Sequence, residues 1–316
     1  MSSQFIKCPA CSQQVKFKSF RIRPELKYND RHFYFAKCDS CGHIRQYPLR
    51  APSVYKNLGY TTQPNYEEHC KNRAKYIFEF LGLKHIILRY NKPFRILDLG
   101  SGRGGVGHFL QLEILNFIAL DIIEKNGSIT ANQLSRNIDM VQVTGVTYQQ
   151  EEKTYIETKY LNLDDTRDLD KLATNKYDLI IMSHTLEHLM HPETIIDYID
   201  KCLLETNGLL YIEIPSLYTA GVRMEDTFIP HHISYFTKTS LTNLIQTNSG
   251  LREIKTYQSN YWGSVKTLYI KLQMNYQVES YNKERFVETK YLLSQIKNKV
   301  NRIRVKYLYK KPRNNE

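Results

Sequence analysis

The stretch Arg95-Ile-Leu-Asp-Leu-Gly-Ser-Gly-Arg-Gly-Gly105 decides the architecture of this 316-residue chain. Arg95–Leu99 is an apolar run that ends in glycine, and Gly104–Leu112 reads as a helix. Glycines between the two let the backbone turn sharply and leave room for a ligand. Outward from this point the same alternation repeats. Phe117–Asp121, Lys159–Leu163, Tyr177–Ser183 and Leu209–Pro215 read as further strands. Pro192–Leu204 reads as a helix before the last of them, with Pro192 suited to its first turn. Strands that alternate with helices predict an α/β fold with a doubly wound, mostly parallel sheet covered on both faces. Ligands of such sheets bind at the carboxyl ends of the strands.

Two segments flank this pattern. Ala74, Ile77, Phe78 and Leu81 recur at three- and four-residue spacing and predict a helix in Asn72–Leu83. About forty residues separate the second strand from the third, where one helix needs roughly half that. Residues 138–157 are the surplus: a hairpin, a lid over the site or a surface insertion.

Cys8-Pro-Ala-Cys11 and Cys38-Asp-Ser-Cys41 are two C-x2-C pairs with 26 residues between them. Each knuckle presents two thiolates to one metal, and two knuckles complete a tetrahedron. Four Cys ligands leave no position open to water. The expectation is therefore a structural zinc on Cys8, Cys11, Cys38 and Cys41, with His32 and His43 as spare ligands. Gly42 allows the left-handed turn of the second knuckle. Cys70 and Cys202 are solitary, and Cys202 reads as a core thiol inside a helix.

The net charge of +12 is concentrated at the ends. Residues 1–50 carry +7 and residues 282–316 carry +8, which leaves −3 for the rest. Basic ends suit a polyanion or a phosphorylated substrate, or form a solvated face. No apolar run approaches the roughly 18 residues of a membrane span. The start of the chain lacks the pattern of a signal peptide, so the expected location is the cytoplasm.

The glycine loop lacks the G-K-[ST] ending of a triphosphate cradle. Asp121, at the end of the second expected strand, is placed to accept hydrogen bonds from a ribose diol. Two cofactors remain. A dinucleotide would use Gly102-x-Gly104-x-x-Gly107. S-adenosylmethionine is favoured by Asp98, because a carboxylate suits an amino group and a sulfonium better than a pyrophosphate.

LDLGSGRG at 97–104, ALD at 119–121, YDLIIMSHTLEHLMHP at 177–192 and GLLYIEIP at 208–215 together resemble the class I S-adenosylmethionine-dependent methyltransferases. The resemblance implies a Rossmann-like, seven-stranded sheet. It implies a donor lined by Gly100, Ser101, Gly102 and Gly104, a ribose held by Asp121 and an adenine near Asn162 and Asp164. It also puts Ser183 and His184 close to the donor's methyl group. The cysteine module followed by HHISYFTKTSL at 231–241 is similar to the zinc-containing sugar methyltransferases, whose motif reads Y-H-E-H-x-S-Y-F. This chain keeps His232, Ser234, Tyr235 and Phe236. It has Ile229, Pro230 and His231 in place of the Tyr, His and Glu, so neither C-methylation nor a particular substrate carries over.

Methyl transfer requires alignment and, for a hydroxyl or carbon acceptor, removal of a proton. Histidine titrates near neutrality. His232 is the expected base, with His231 beside it and Tyr235 as a substrate or relay contact. Glu187 and His188 are expected to shape a turn, and Glu213 to face the pocket or pair with a base. The expected division is a zinc-binding module at 1–50, a linker and helix at 51–93 with Tyr55 and Tyr60 as lid residues, a methyltransferase domain at 94–277 and a basic tail at 278–316. The expected activity is methylation of a small molecule, a sugar or nucleotide-sugar. The alternative is an RNA methyltransferase that uses the basic module and tail. Against it, Ser183-His184-Thr185 stands where an Asn/Asp-Pro-Pro-Tyr motif would follow the fourth strand. A binding protein without catalysis is disfavoured by the intact glycine loop.

Overall fold

The computed structural model describes residues 5–16, 18–20, 27–28, 31–32, 34–47, 49, 65–87, 92–126, 138–144, 156–217, 228, 231–258 and 264–272. The basic tail, Tyr55, Tyr60, Ile229 and Pro230 lie outside these residues. Seven short strands come first: β1 (Phe5–Lys7), β2 (Gln14–Lys16), β3 (Lys18–Phe20), β4 (Lys27–Tyr28), β5 (Arg31–His32), β6 (Tyr34–Lys37) and β7 (Ile44–Tyr47). Helices α1 (Tyr66–Leu81) and α2 (Leu83–Ile87) follow. Then come β8 (Phe94–Leu99), α3 (Gly105–Asn126), β9 (Ile138–Thr144), β10 (Glu157–Tyr160), α4 (Thr166–Asp170) and β11 (Tyr177–Ser183). The chain continues with α5 (Pro192–Tyr198), β12 (Leu204–Pro215), β13 (Ser234–Tyr235), α6 (Lys238–Asn248), β14 (Arg252–Gln258) and β15 (Ser264–Ile270).

The main sheet has seven strands in the order β10-β9-β8-β11-β12-β15-β14. The first five run parallel, and β15 runs antiparallel to both of its neighbours, β12 and β14. This is the expected Rossmann-like sheet. Along the central strands β8 and β11 nearly every residue is buried. That is why they read as continuous apolar runs rather than alternating ones. Successive residues enter opposite cores. Ile96, Leu179 and Ile181 pack with Ala74, Ile77, Leu110 and Ile114 of α1 and α3. Leu97, Ile180 and Met182 pack with Leu169, Ile195, Leu241 and Ile245 of α4 to α6. Local signals end the helices: Gly82 caps α1 at φ 65°, and Thr237 and Ser240 close a capping box on α6.

One expected strand is corrected. Phe117–Asp121 belongs to α3, not to the sheet. Its apolar residues continue the inner stripe of a helix, since Leu110, Ile114 and Ile118 are buried while Leu120 is 68% exposed. The second strand is instead β9, drawn from the stretch read as surplus, and it pairs with β8 from Phe94↔Ile138 to Leu99↔Val143. Residues 145–155 lie outside the described residues.

The cysteine module is joined to this sheet's helical layer. Strands β13-β7-β6-β3 form one sheet, and Ser216, just past β12, bridges to Phe236. The Gln46 amide donates to the Ile233 carbonyl at 2.8 Å. Arg45 Nη2 donates to the Met190 carbonyl at 2.9 Å. Asn248 Nδ2 donates to the Pro9 carbonyl at 3.1 Å. Cys8, Cys11, Cys38 and Cys41 share an apolar cluster with Leu241, Leu244 and Ile245. Among the described residues no helix is long and apolar enough to cross a membrane.

The correction to Phe117–Asp121 has a direct measurement. Urea unfolding is expected to show Ile118→Ala losing about 2–4 kcal/mol and Leu120→Ala within about 0.5 kcal/mol of the parent. Equal losses at both positions would return the segment to the sheet.

Candidate active site

β8 ends at Leu99 and the chain turns through Gly100, Gly102 and Gly104, whose φ angles are 75, 57 and 79°. These lie in the left-handed region that glycine enters without a steric cost. A Cβ on Gly100 would fall on the Thr185 side chain. The Thr185 hydroxyl donates to the Leu99 carbonyl at 2.9 Å. Amides of Gly100 and Ser101 both donate to the Val143 carbonyl, at 2.8 and 2.9 Å. Gln142 Nε2 donates to the Gly104 carbonyl at 2.9 Å. The loop is thus fixed by β9 on one side and by the turn after β11 on the other.

Among the described residues nothing lies within 4 Å of a Cβ placed on Gly102, so the loop's outer face is open to them. Around it, Asp98 Oδ2 and Ser101 Oγ are buried with no hydrogen-bond partner. Burial raises the Asp98 carboxyl to about 7. Buried polar atoms left without partners point to a ligand that supplies them. The amino group of an amino-acid moiety answers an acceptor such as Asp98, so these residues fit S-adenosylmethionine.

One expected donor contact, Asp121, is not brought to that face. Asp121 lies 16 residues along α3 from Gly105, about 24 Å from the loop at 1.5 Å per residue. It is at the wrong end of the helix to hold a ribose. Asp164 braces the turn before α5, accepting the Met190 and His191 amides at 2.9 and 3.0 Å. Asn162 Oδ1 accepts the Asp164 amide at 3.1 Å. Both residues therefore shape the loop beside the sheet edge, and the Asp164 carboxylate is already engaged there.

Ser183 and His184 stand where expected, at the end of β11. His184 has φ 53°, and its ring lies between two buried carboxylates. Nδ1 is 3.3 Å from Glu187 Oε1 and Nε2 is 3.6 Å from Glu213 Oε1. Burial alone would lower its pKa, but the two carboxylates raise it to about 9. The ring is an imidazolium at neutral pH. Glu213 also faces Arg73 Nε at 3.6 Å and Lys266 Nζ at 3.8 Å. It accepts the Ser183 and Tyr211 hydroxyls at 3.2 Å each. Burial opposes its ionisation, yet His184 and Arg73 hold it at about 2. Arg73 and Lys266 carry no motif in the sequence. Only the packing of α1 over the sheet and the pairing of β15 with β12 bring them here.

His231 and His232 meet the turn Leu186–His188. Ring centroids are 4.7 Å apart for His188 and His232, 5.0 Å for His231 and His232, and 5.6 Å for His188 and His231. The Ile233 amide donates to the Glu187 carbonyl at 2.8 Å. Burial lowers His231 to about 4 and His232 to about 3. Both rings are unprotonated at neutral pH, as a base must be, but weakly basic. Tyr235 is corrected: it is buried against Phe35 and Phe228, at 5.4 and 4.7 Å between centroids. It belongs to the β13–β7 junction rather than to a substrate face, and burial lifts its pKa well above the ordinary value.

In the module, Cys8 Sγ is 3.6 Å from Cys41 Sγ and Cys11 Sγ is 3.8 Å from Cys38 Sγ. Zinc–sulfur bonds of about 2.3 Å give a tetrahedron with edges of about 3.8 Å, so the four thiols fit zinc. The two knuckles repeat one geometry. Ser12 and Gly42 follow the second Cys of each pair at φ 54 and 77°, and their amides donate to the Cys8 and Cys38 carbonyls. His43 is not a spare ligand, because its ring is buried against Phe236 at 5.0 Å. His32 has no described side chain.

Asp98 generates a test by pH. Its carboxyl titrates at 3.8 when unfolded and at about 7 when folded. Between those values the folded chain keeps a proton that the unfolded chain loses, so stability falls as pH rises from about 4 to about 7. Asp98→Asn is expected to flatten that fall and to exceed the parent above pH 7 by up to about 4 kcal/mol. Parallel urea profiles at pH 5 and pH 8 would contradict the buried, unanswered carboxyl.

The methyltransferase-domain family matches residues 66–254, more than half of the chain. A sequence search of curated proteins found no match. Among solved structures, the chain is similar to the 1,6-didemethyltoxoflavin N1-methyltransferase of Burkholderia thailandensis, which has 1,6-didemethyltoxoflavin and S-adenosylhomocysteine bound. Identity is 14% over 78% of this chain and 99% of that one, with a TM-score of 0.41. It is also similar to the plantazolicin methyltransferase BpumL, in complex with a monoazolic desmethylPZN analog and S-adenosylhomocysteine. There identity is 12% over 66% of this chain and 87% of that one, with a TM-score of 0.43. Family match, sheet order and glycine loop agree: the chain belongs to the methyltransferase-domain family and is an S-adenosylmethionine-dependent methyltransferase.

Proposed function

We propose that this enzyme methylates a hydroxyl of a small molecule, a sugar or nucleotide-linked sugar, at the face made by His184, Glu187, His188, His231 and His232. The observation that carries the reading is the convergence of His231 and His232 with the turn after β11, beside Thr185 and the glycine loop. The retained His232-x-Ser234-Tyr235-Phe236 supports a sugar-type acceptor. S-adenosylmethionine, when bound, supplies a methyl group whose bond to sulfur breaks as the bond to the acceptor oxygen forms, the electron pair returning to sulfur.

The chain's residues divide the remaining work. His184, clamped between two carboxylates, is positively charged and cannot accept a proton, so it orients. His232 accepts the hydroxyl proton. Its low pKa suits a late transfer, because the oxygen becomes strongly acidic only as it takes the methyl group. Zinc on Cys8, Cys11, Cys38 and Cys41 fixes β7, and β7 fixes Ser234–Tyr235 and the histidines before them. Removing zinc with a chelator is expected to abolish methyl transfer and lower the melting temperature. Unchanged activity in zinc-free protein would sink that role.

The function is tested by transfer of labelled methyl from S-adenosylmethionine into a fractionated extract of the source cells. Label is expected in the low-molecular-weight fraction and is expected to be lost in His232→Ala. Label in a ribonuclease-sensitive fraction would overturn the sugar reading in favour of RNA, with the basic module as the phosphate contact.

A further inference from the structure

The Glu187 cluster holds more ligating chemistry than methyl transfer requires. One carboxylate oxygen of Glu187 and one nitrogen each of His188 and His232 lie within 4.8 Å of one another. Glu187 is 1% exposed, and neither of its carboxylate oxygens has a hydrogen-bond partner. A carboxylate buried in that state needs positive charge close by. His184, 3.3 Å from Oε1 and shared with Glu213, holds the carboxyl at about 2 against burial, so the group is ionised as a metal ligand must be.

His188 points the same way. Its Nδ1 lies 2.9 Å from the His231 carbonyl. A carbonyl only accepts, so Nδ1 carries a proton and Nε2 is the ring nitrogen turned to the cluster. That nitrogen faces Glu187 Oε1 at 3.8 Å. Fixing the far nitrogen on a backbone carbonyl is how metal-binding imidazoles are oriented.

We infer that Glu187, His188 and His232 form a site for a divalent transition-metal ion, distinct from the four-cysteine site. Two imidazoles and one carboxylate suit manganese, iron, cobalt or zinc, and leave positions open. Bonds of about 2.0–2.1 Å give tetrahedral edges of about 3.4 Å. The 3.8 Å separation closes by rotation of the carboxylate about its broad terminal torsion. This site rests on the proposed transfer to a hydroxyl for its role and replaces the base of that reading. The open position takes the acceptor hydroxyl and acidifies it, the proton passes to His231, and His232 serves as a ligand in place of a base.

The test uses Mn²⁺ alone as probe, since it is poorly matched to thiolates. The full-length chain, its cysteine site loaded with zinc, is titrated with Mn²⁺ and followed by the loss of the free-ion electron paramagnetic resonance signal. One Mn²⁺ per chain is expected, with affinity falling at least about tenfold in Glu187→Gln and in His232→Asn. His191→Ala, outside the cluster, is expected to bind as the parent does. Calorimetric binding of S-adenosylmethionine checks that each variant is folded. If Glu187→Gln fails that check, His232→Asn carries the comparison. No uptake by the parent, or uptake equal in parent and folded variants, overturns the metal site. Neither result touches the methyltransferase reading, which would fail instead by showing no labelled product.

Discussion

A carboxylate taken out of water must be met by positive charge, and this fold buries two of them at one sheet edge. Glu213, near the end of β12, draws in Arg73 from α1, Lys266 from β15 and His184 from the turn after β11. Glu187 lies one turn further and shares His184, with the His188 and His232 rings beside it. His184 belongs to both groups, which favours its protonated form. The charges thereby tie a covering helix and a further strand to the same few ångströms, and the Ile233 amide, donating to the Glu187 carbonyl, brings the histidine loop beside them. Desolvation makes each pairing costly to break from one side.

The cysteine module is part of the same construction. It is not a separate bead on a linker, because its sheet runs through β7 into Ser234–Tyr235 and its knuckles rest on α6. Whatever fixes the four thiols fixes the segment that presents His231 and His232. The module therefore acts on the chemistry through geometry, and its basic charge is a separate matter.

The sheet was largely legible in the sequence because central parallel strands are buried on both faces and leave uninterrupted apolar runs, as in Ile96–Leu99 and Leu179–Met182. The same signal misled at Phe117–Asp121. A short apolar run is shared by a buried strand and the inner stripe of a long helix, and α3 is 22 residues long. Asp121 lost its role with that strand. The grouping of the four cysteines and the turn of the glycine loop were legible because local spacing carries them. Tyr235 was not, since burial and not residue type decides whether a phenol meets substrate. Arg73, Lys266 and the ligand character of Glu187 depend on tertiary packing and leave no local pattern.

The most direct measurement is a crystal structure of the chain with S-adenosylhomocysteine bound. The account predicts the amino-acid moiety against Asp98 and Ser101, over Gly102, with the sulfur turned toward His184 and the histidines beyond it. A ligand lying along α3 toward Asp121, or one that leaves Asp98 and Ser101 without partners, would contradict it.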